Sequence, residues 1–194
     1  MNMINTKTLL IGLTILVLAI FCLWSFSSYN TLVTLEETVG AQWGQVENQL
    51  QRRSDLIPNL VNTVSGYAAH EREAIQAVAD ARSKMAGADS IETMAASDQE
   101  LSGALSRLLA VVENYPDLEA DTQFQALQDE LAGTENRIAV SRRDYNQSVQ
   151  AYNTQIKRFP SMIFSAMMGF TSKPYFQASE GADQLPEVNF GGGR

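Results

Sequence analysis

Between Thr8 and Leu35 no position is charged, and the run TLLIGLTILVLAIFCLWSF (8–26) is apolar almost throughout. A helix of that length covers a hydrocarbon core of about 30 Å, so the run predicts a membrane span over 8–27. A cleaved signal peptide would have a shorter apolar region ending in small residues, whereas this one closes on Phe21, Leu23, Trp24 and Phe26. Beyond it, apolar residues recur every seven positions. One seam holds Leu32, Val39, Val46, Leu60 and Tyr67, interrupted by Arg53. The other holds Trp43, Leu50, Ile57, Val64 and Val78, interrupted by Glu36 and Glu71. The pattern predicts amphipathic helix from about Asn30 to Met85, with Pro58 inside it.

The stretch AGADSIETMAAS (86–97) loses the stripe and reads as a connection or weak helix. Ser97 with Glu100 forms an S-x-x-E capping box that would start a helix carrying Leu101, Leu105, Leu108 and Val112, ended by NYPDL. Thr122 with Gln125 offers a second box, followed by a seam of Phe124, Leu131, Ile138, Tyr145, Tyr152 and Phe159 that Pro160 stops. The tyrosine hydroxyls of this seam are expected at the edge of a bundle. The apolar SMIFSAMMGF (161–170) is expected to pack back on the bundle or on a bilayer, and the tail from Thr171 ends in the low-complexity FGGGR, expected to be disordered unless a neighbouring subunit covers it. With no strand pattern, the fold class is all-α: an N-terminal transmembrane helix followed by a long antiparallel four-helix bundle.

Four stripes require the 30–85 pattern to be two helices, and QLQRRSDLIPNLVNTV (49–64) supplies a place to divide it. Arg52 and Arg53 would close the first helix, Asp55 would cap the second, and Pro58 would sit in its first turn, where no backbone donor is missed. An interior proline costs about 3 kcal/mol, which favours this break over one long helix kinked at Pro58; the unbroken heptad register supports the rod.

Composition narrows the chemistry. The net charge of −8, with basic residues scattered, argues against sustained nucleic-acid contact. Cys22 is the sole cysteine and lies in the span, so it reads as apolar filler. The sole histidine, His70, begins HEREA, where Ala74 replaces the second ligand of a metalloprotease H-E-x-x-H helix. No Glu-x-x-His pairing supports a carboxylate metal site, and no nucleophilic triad is recognisable, so the chain reads as non-catalytic, with no cofactor, metal or small-molecule substrate. The arginines carry the sharper alternative. Facing inward, Arg52 and Arg53 would need Glu130 or Glu135 of ELAGTEN as partners, with Gly133 allowing close approach, and would form a polar layer that sets helix register. Asp55, Asn136 and Arg137 complete this candidate set of structural or partner contacts.

The strings QRRSDLIPNLV and ELAGTENRIAVSRRDYN, together with the GF at 169–170 and a downstream Phe-x-Ala at 176–178, closely resemble the LemA family. The resemblance covers nearly all of the body, with a gap around 86–100. It implies a short N-terminal segment (1–7), one transmembrane helix (8–27), a bromodomain-like four-helix bundle (28–170) and a largely irregular tail (171–194). It implies no reaction, and links relatives in magnetosome-forming bacteria to organising a membrane compartment. The expected function is a scaffold or adaptor of the bacterial cell envelope, anchored in the inner membrane through 8–27 and partnered by its own copies or other membrane proteins. The alternative is an accessory subunit of a membrane enzyme such as an envelope protease. Lys7 ahead of the span, with no basic residue after it until Arg52, favours an exported body, whereas the family resemblance implies an N-terminus outside.

Overall fold

The computed structural model describes residues 6–68 and 70–177; most of the short N-terminal segment and the FGGGR end lie outside them. Every regular element among the described residues is an α-helix: α1 (Thr6–Tyr67), α2 (Arg72–Ala86), α3 (Ile91–Val112), α4 (Pro116–Glu119), α5 (Thr122–Lys157) and α6 (Ser161–Met168). Two compact units are formed, one from residues up to Gln45 with Arg143–Lys173, the other from Val46–Arg142 with the segment from Pro174. Helices α1 and α5 each contribute to both.

In the first unit, the N-terminal part of α1 is bare. Twelve large apolar side chains from Leu9 to Phe26 are between 52% and 72% exposed, and α1 is the one helix among the described residues long and apolar enough to cross a membrane. Further on, Leu32 and Val39 of α1 are buried with Tyr145, Val149, Tyr152 and Ile156 of α5. Tyr145 and Tyr152 are fully buried rather than placed at an edge, because Trp43 packs at a tilt against the first at 5.4 Å and Lys173 lies over the second at 5.7 Å. The chain after α6 is tied back by Asn153, whose side chain donates to the Lys173 carbonyl and accepts from the Lys173 amide, both at 2.9 Å. Lys173 Nζ also meets Glu36, the residue that interrupted the heptad seam, at 2.6 Å.

The second unit is a four-helix arrangement. Its core takes Val46, Leu50, Ile57, Leu60 and Val64 from α1, Val78, Ala81 and Met85 from α2, Leu101, Leu105, Leu108 and Val112 from α3, and Phe124, Leu131 and Ile138 from α5. Cross-contacts set the directions. Arg82 meets Ser54, so α2 runs back along α1, while Arg52 with Glu130 and Tyr67 with Asp121 make α5 antiparallel to α1.

Four expectations are corrected here. Pro58 does not divide two helices; it lies inside α1, which continues to Tyr67. Pro58 has no N–H to offer the Ser54 carbonyl, which would otherwise be left buried and unpaired. Arg82 Nε, from α2, donates to that carbonyl at 3.0 Å, which removes much of the reason for the helix to stop. Continuing also keeps Ile57, Leu60 and Val64 in the core. Asp55 therefore caps nothing, and instead accepts from the Gln51 side chain at 2.8 Å. The Ser97 box is likewise inside α3. The helix starts seven residues earlier, where Ser90 Oγ accepts from the Thr93 amide at 3.2 Å and Thr93 Oγ accepts from the Ser90 amide at 3.0 Å. At α5 the cap is Asp121 rather than Thr122, its carboxylate accepting from the amides of Gln123 and Phe124 at 2.8 and 2.9 Å.

Candidate functional site

Arg53 occupies a core position of the α1 seam, seven residues after Val46 and seven before Leu60, and is only 5% exposed. A guanidinium in that place needs anions, and two helices supply them. Its Nη1 lies 3.0 Å from Asp98 Oδ1 of α3 and 2.8 Å from Glu135 Oε2 of α5, while Nη2 donates to Ser102 Oγ at 3.0 Å. Asp98 is itself 1% exposed, and its second oxygen pairs with Arg142 of α5. The result is a layer of two arginines and two carboxylates, neutral in sum, that joins α1, α3 and α5. Phe176 closes it from the tail, its ring 4.6 Å from the Arg142 guanidinium and itself buried.

Burial lowers the pKa of Arg53, opposed by the nearby Glu135 charge. Burial, and then the repulsion of Arg53, lower that of Arg142 to about 10, which leaves it charged at neutral pH. Neither arginine is a proton donor or acceptor for chemistry near pH 7. What the layer does is positional: a guanidinium fork satisfied from two directions tolerates few alternative alignments of three helices.

The residues singled out from the sequence divide. Arg53 is buried in the layer, and Glu135, with a side chain 49% exposed, reaches it from the bundle surface. Arg52 and Glu130 meet at 2.6 Å on the outside, with side chains 56% and 37% exposed, and Arg137 reaches the same carboxylate at 2.9 Å. Asp55 and Asn136 are exposed and belong to neither group. Gly133 does not mark a close helix approach, because a β-carbon there would meet the Arg137 guanidinium of its own helix at an ordinary 3.6 Å. His70 lies exposed in the turn after α1.

Sequence reasoning missed Asp98 and Arg142, although both leave a periodic signal. Asp98 stands seven residues before Leu105 and fourteen before Val112, and Arg142 stands between Glu135 and Val149 at the same spacing. A charge recurring on a core seam of three helices is what a buried ionic layer requires. Among the described residues, no three His, Cys, Asp or Glu side chains are grouped so as to hold a metal ion.

The LemA family model matches residues 42–190. Magnetosome protein MamQ 1 of Paramagnetospirillum magneticum is 29% identical over 181 residues, covering 80% of this chain and 66% of that protein. The chain thus spans just under two thirds of the length of that relative. Magnetosome protein MamQ of Magnetospirillum gryphiswaldense is 26% identical over 201 residues, 90% of this chain and 74% of its own. Protein LemA of Metamycoplasma hominis is 24% identical over 170 residues, 86% of this chain and 76% of its own. The QRRSDLIPNLV and ELAGTEN strings fall within the matched range, and they bear Arg53 and Glu135.

Proposed function

The chain belongs to the LemA family, and on that premise we propose that it is a non-catalytic scaffold or adaptor of a bacterial cell-envelope membrane. In this reading residues 8–27 span the inner membrane once, 28–170 form the body, and the partners are further copies of the chain or other membrane proteins. The observation that carries it is the bare apolar stretch of α1. Twelve large side chains lie exposed there, and at roughly 1.5–3 kcal/mol each their transfer from water to hydrocarbon is worth on the order of 20 kcal/mol. The same unbroken helix supplies Arg52 and Arg53 to the bundle, so anchor and body are one element of secondary structure. The buried charge layer supports a role in presenting a body of defined helix register. Relatives named as magnetosome proteins fit this reading through the family resemblance, which links such relatives to organising a membrane compartment.

The test is cross-linking in intact cells followed by purification from membranes resistant to alkaline carbonate. Recovery mainly of self-contacts, or of membrane proteins without catalytic activity, supports the scaffold. Stoichiometric recovery of an envelope enzyme whose activity changes when this chain is deleted assigns the accessory role instead, and release by carbonate removes the anchor. Protease accessibility of the body in spheroplasts reports which side it occupies.

A further inference from the structure

Helix α6 is built inside out. Its serines are its buried residues: Ser161 and Ser165 are each 4% exposed, whereas Met162, Ile163, Met167 and Met168 are between 46% and 74% exposed. The serines point inward because they have partners there. Ser161 Oγ accepts from Ser28 at 3.1 Å and from Gln155 at 3.1 Å, and Ser165 Oγ donates to the Ile156 carbonyl at 2.9 Å. A short helix in water would place its methionines inward and its serines outward. The opposite arrangement is favourable where the surroundings are hydrocarbon and polar groups must be satisfied within the protein.

Its position agrees with that environment. The Ser28–Ser161 bond sets the start of α6 just beyond the apolar stretch of α1. Phe164 then packs at a tilt against Phe21 and Trp24 within that stretch, at 5.4 and 5.3 Å between ring centroids. Gly169 ends the helix at φ +79, a conformation that L side chains rarely adopt, and Phe170 returns to the level of Tyr29 with its ring 6.0 Å away. From Ser28 to Phe21 is seven residues of α1, a descent of about 10 Å. An interfacial helix seats its apolar face at about that depth. An apolar cavity of about 400 Å³ lies along this contact, lined by residues including Phe26, Leu32, Phe164 and Met168. Lys157 and Arg158, both exposed, immediately precede the dip. They suit anionic headgroups, and Trp24 and Tyr29 suit the aromatic belt.

We propose that α6 is a second membrane contact, a dipping interfacial helix whose Met162, Ile163, Met167 and Met168 face lies in the acyl region of the leaflet next to the body. The proposal rests on the reading of 8–27 as a span, and lipid hydrocarbon is the occupant because the exposed face is continuous with the exposed apolar stretch of α1. It makes α6 an element that fixes the tilt and rotation of the anchor relative to the bilayer.

The test uses the full chain in the Cys22→Ser background, with an environment-sensitive fluorophore on Met167→Cys or, separately, on Leu16→Cys. Each is reconstituted into phosphatidylcholine–phosphatidylglycerol vesicles containing nitroxide lipids labelled at shallow or deep acyl positions. Shallow quenchers should reduce the Met167→Cys signal at least about twofold, while deep quenchers act more strongly on Leu16→Cys. Quenching at Leu16→Cys alone overturns the proposal and leaves the span standing. Quenching at neither site overturns both. A Met167→Cys label shielded from aqueous iodide but untouched by lipid quenchers shows that protein covers the face, which also overturns the proposal.

Discussion

Replacing Asp98 with alanine removes the carboxylate that Arg53 and Arg142 share. The cost follows from what remains. Asp98 and Arg53 have side chains 1% and 6% exposed, and breaking a pair so buried costs about 3–5 kcal/mol, because the surviving charge stays desolvated. Arg53 keeps Ser102 and Glu135, and Arg142, with a side chain 26% exposed, has a route to water. The lower end, about 3 kcal/mol, is therefore expected. For a chain of this length that lowers Tm by roughly 6–12 °C. Thermal unfolding of the detergent-solubilised full chain, followed by circular dichroism at pH 7, measures it. The paired variant Arg53→Met with Asp98→Leu removes both deeply buried charges and should recover at least about 1 kcal/mol of the loss. If Asp98→Ala unfolds within about 0.5 kcal/mol of wild type, or if the two single losses simply add, the layer is not the coupled unit described above.

Three further outcomes follow from the same geometry. Arg82→Met leaves the Ser54 carbonyl buried and unpaired, at a cost of about 1–3 kcal/mol; in a Pro58→Ala background, where residue 58 regains its amide, a double-mutant cycle should show the cost falling by about 1 kcal/mol. Arg52→Ala should change stability by no more than about 1 kcal/mol, since its pair with Glu130 is solvent-exposed, and a loss as large as that of Asp98→Ala in the same melting assay would contradict the division between inner and outer charges. The amides of Phe124 and Gln123 and the Tyr67 hydroxyl hold the Asp121 carboxyl below its ordinary 3.8. Its cap therefore adds stability in full above that value and loses it as pH falls through the lowered folded pKa. Asp121→Asn, which keeps the acceptor oxygen but does not titrate, should show a shallower decline of melting temperature on the acid side.

Much of the fold was legible because helix periodicity is a local property. The seams through Leu32 to Val64 and through Phe124 to Tyr152 named most of the core, and the uncharged run from Thr8 named the exposed apolar helix. The GF and Phe-x-Ala motifs were legible as strings but not as structure. The first is a left-handed helix end with a ring on Tyr29, and the second brings Phe176 over Arg142. Cap positions were misplaced at α3 and α5 because Ser and Thr at several nearby positions satisfy the same local pattern.

What the sequence determined alone was therefore what a single turn of chain can encode: all-α character, stripe phase, the apolar run and the charges that interrupt a seam. What only the tertiary structure decided depended on atoms far along the chain. Pro58 stays within α1 because the donor to Ser54 comes from Arg82, 28 residues away. Arg53 is a buried register residue rather than a helix end because Asp98, 45 residues away, accepts from it. Proline cost, arginine burial and the inverted face of α6 share one physical origin. The free energy of a polar group is set by whether a partner or water reaches it. That depends on which helices meet, which no local window of the chain contains.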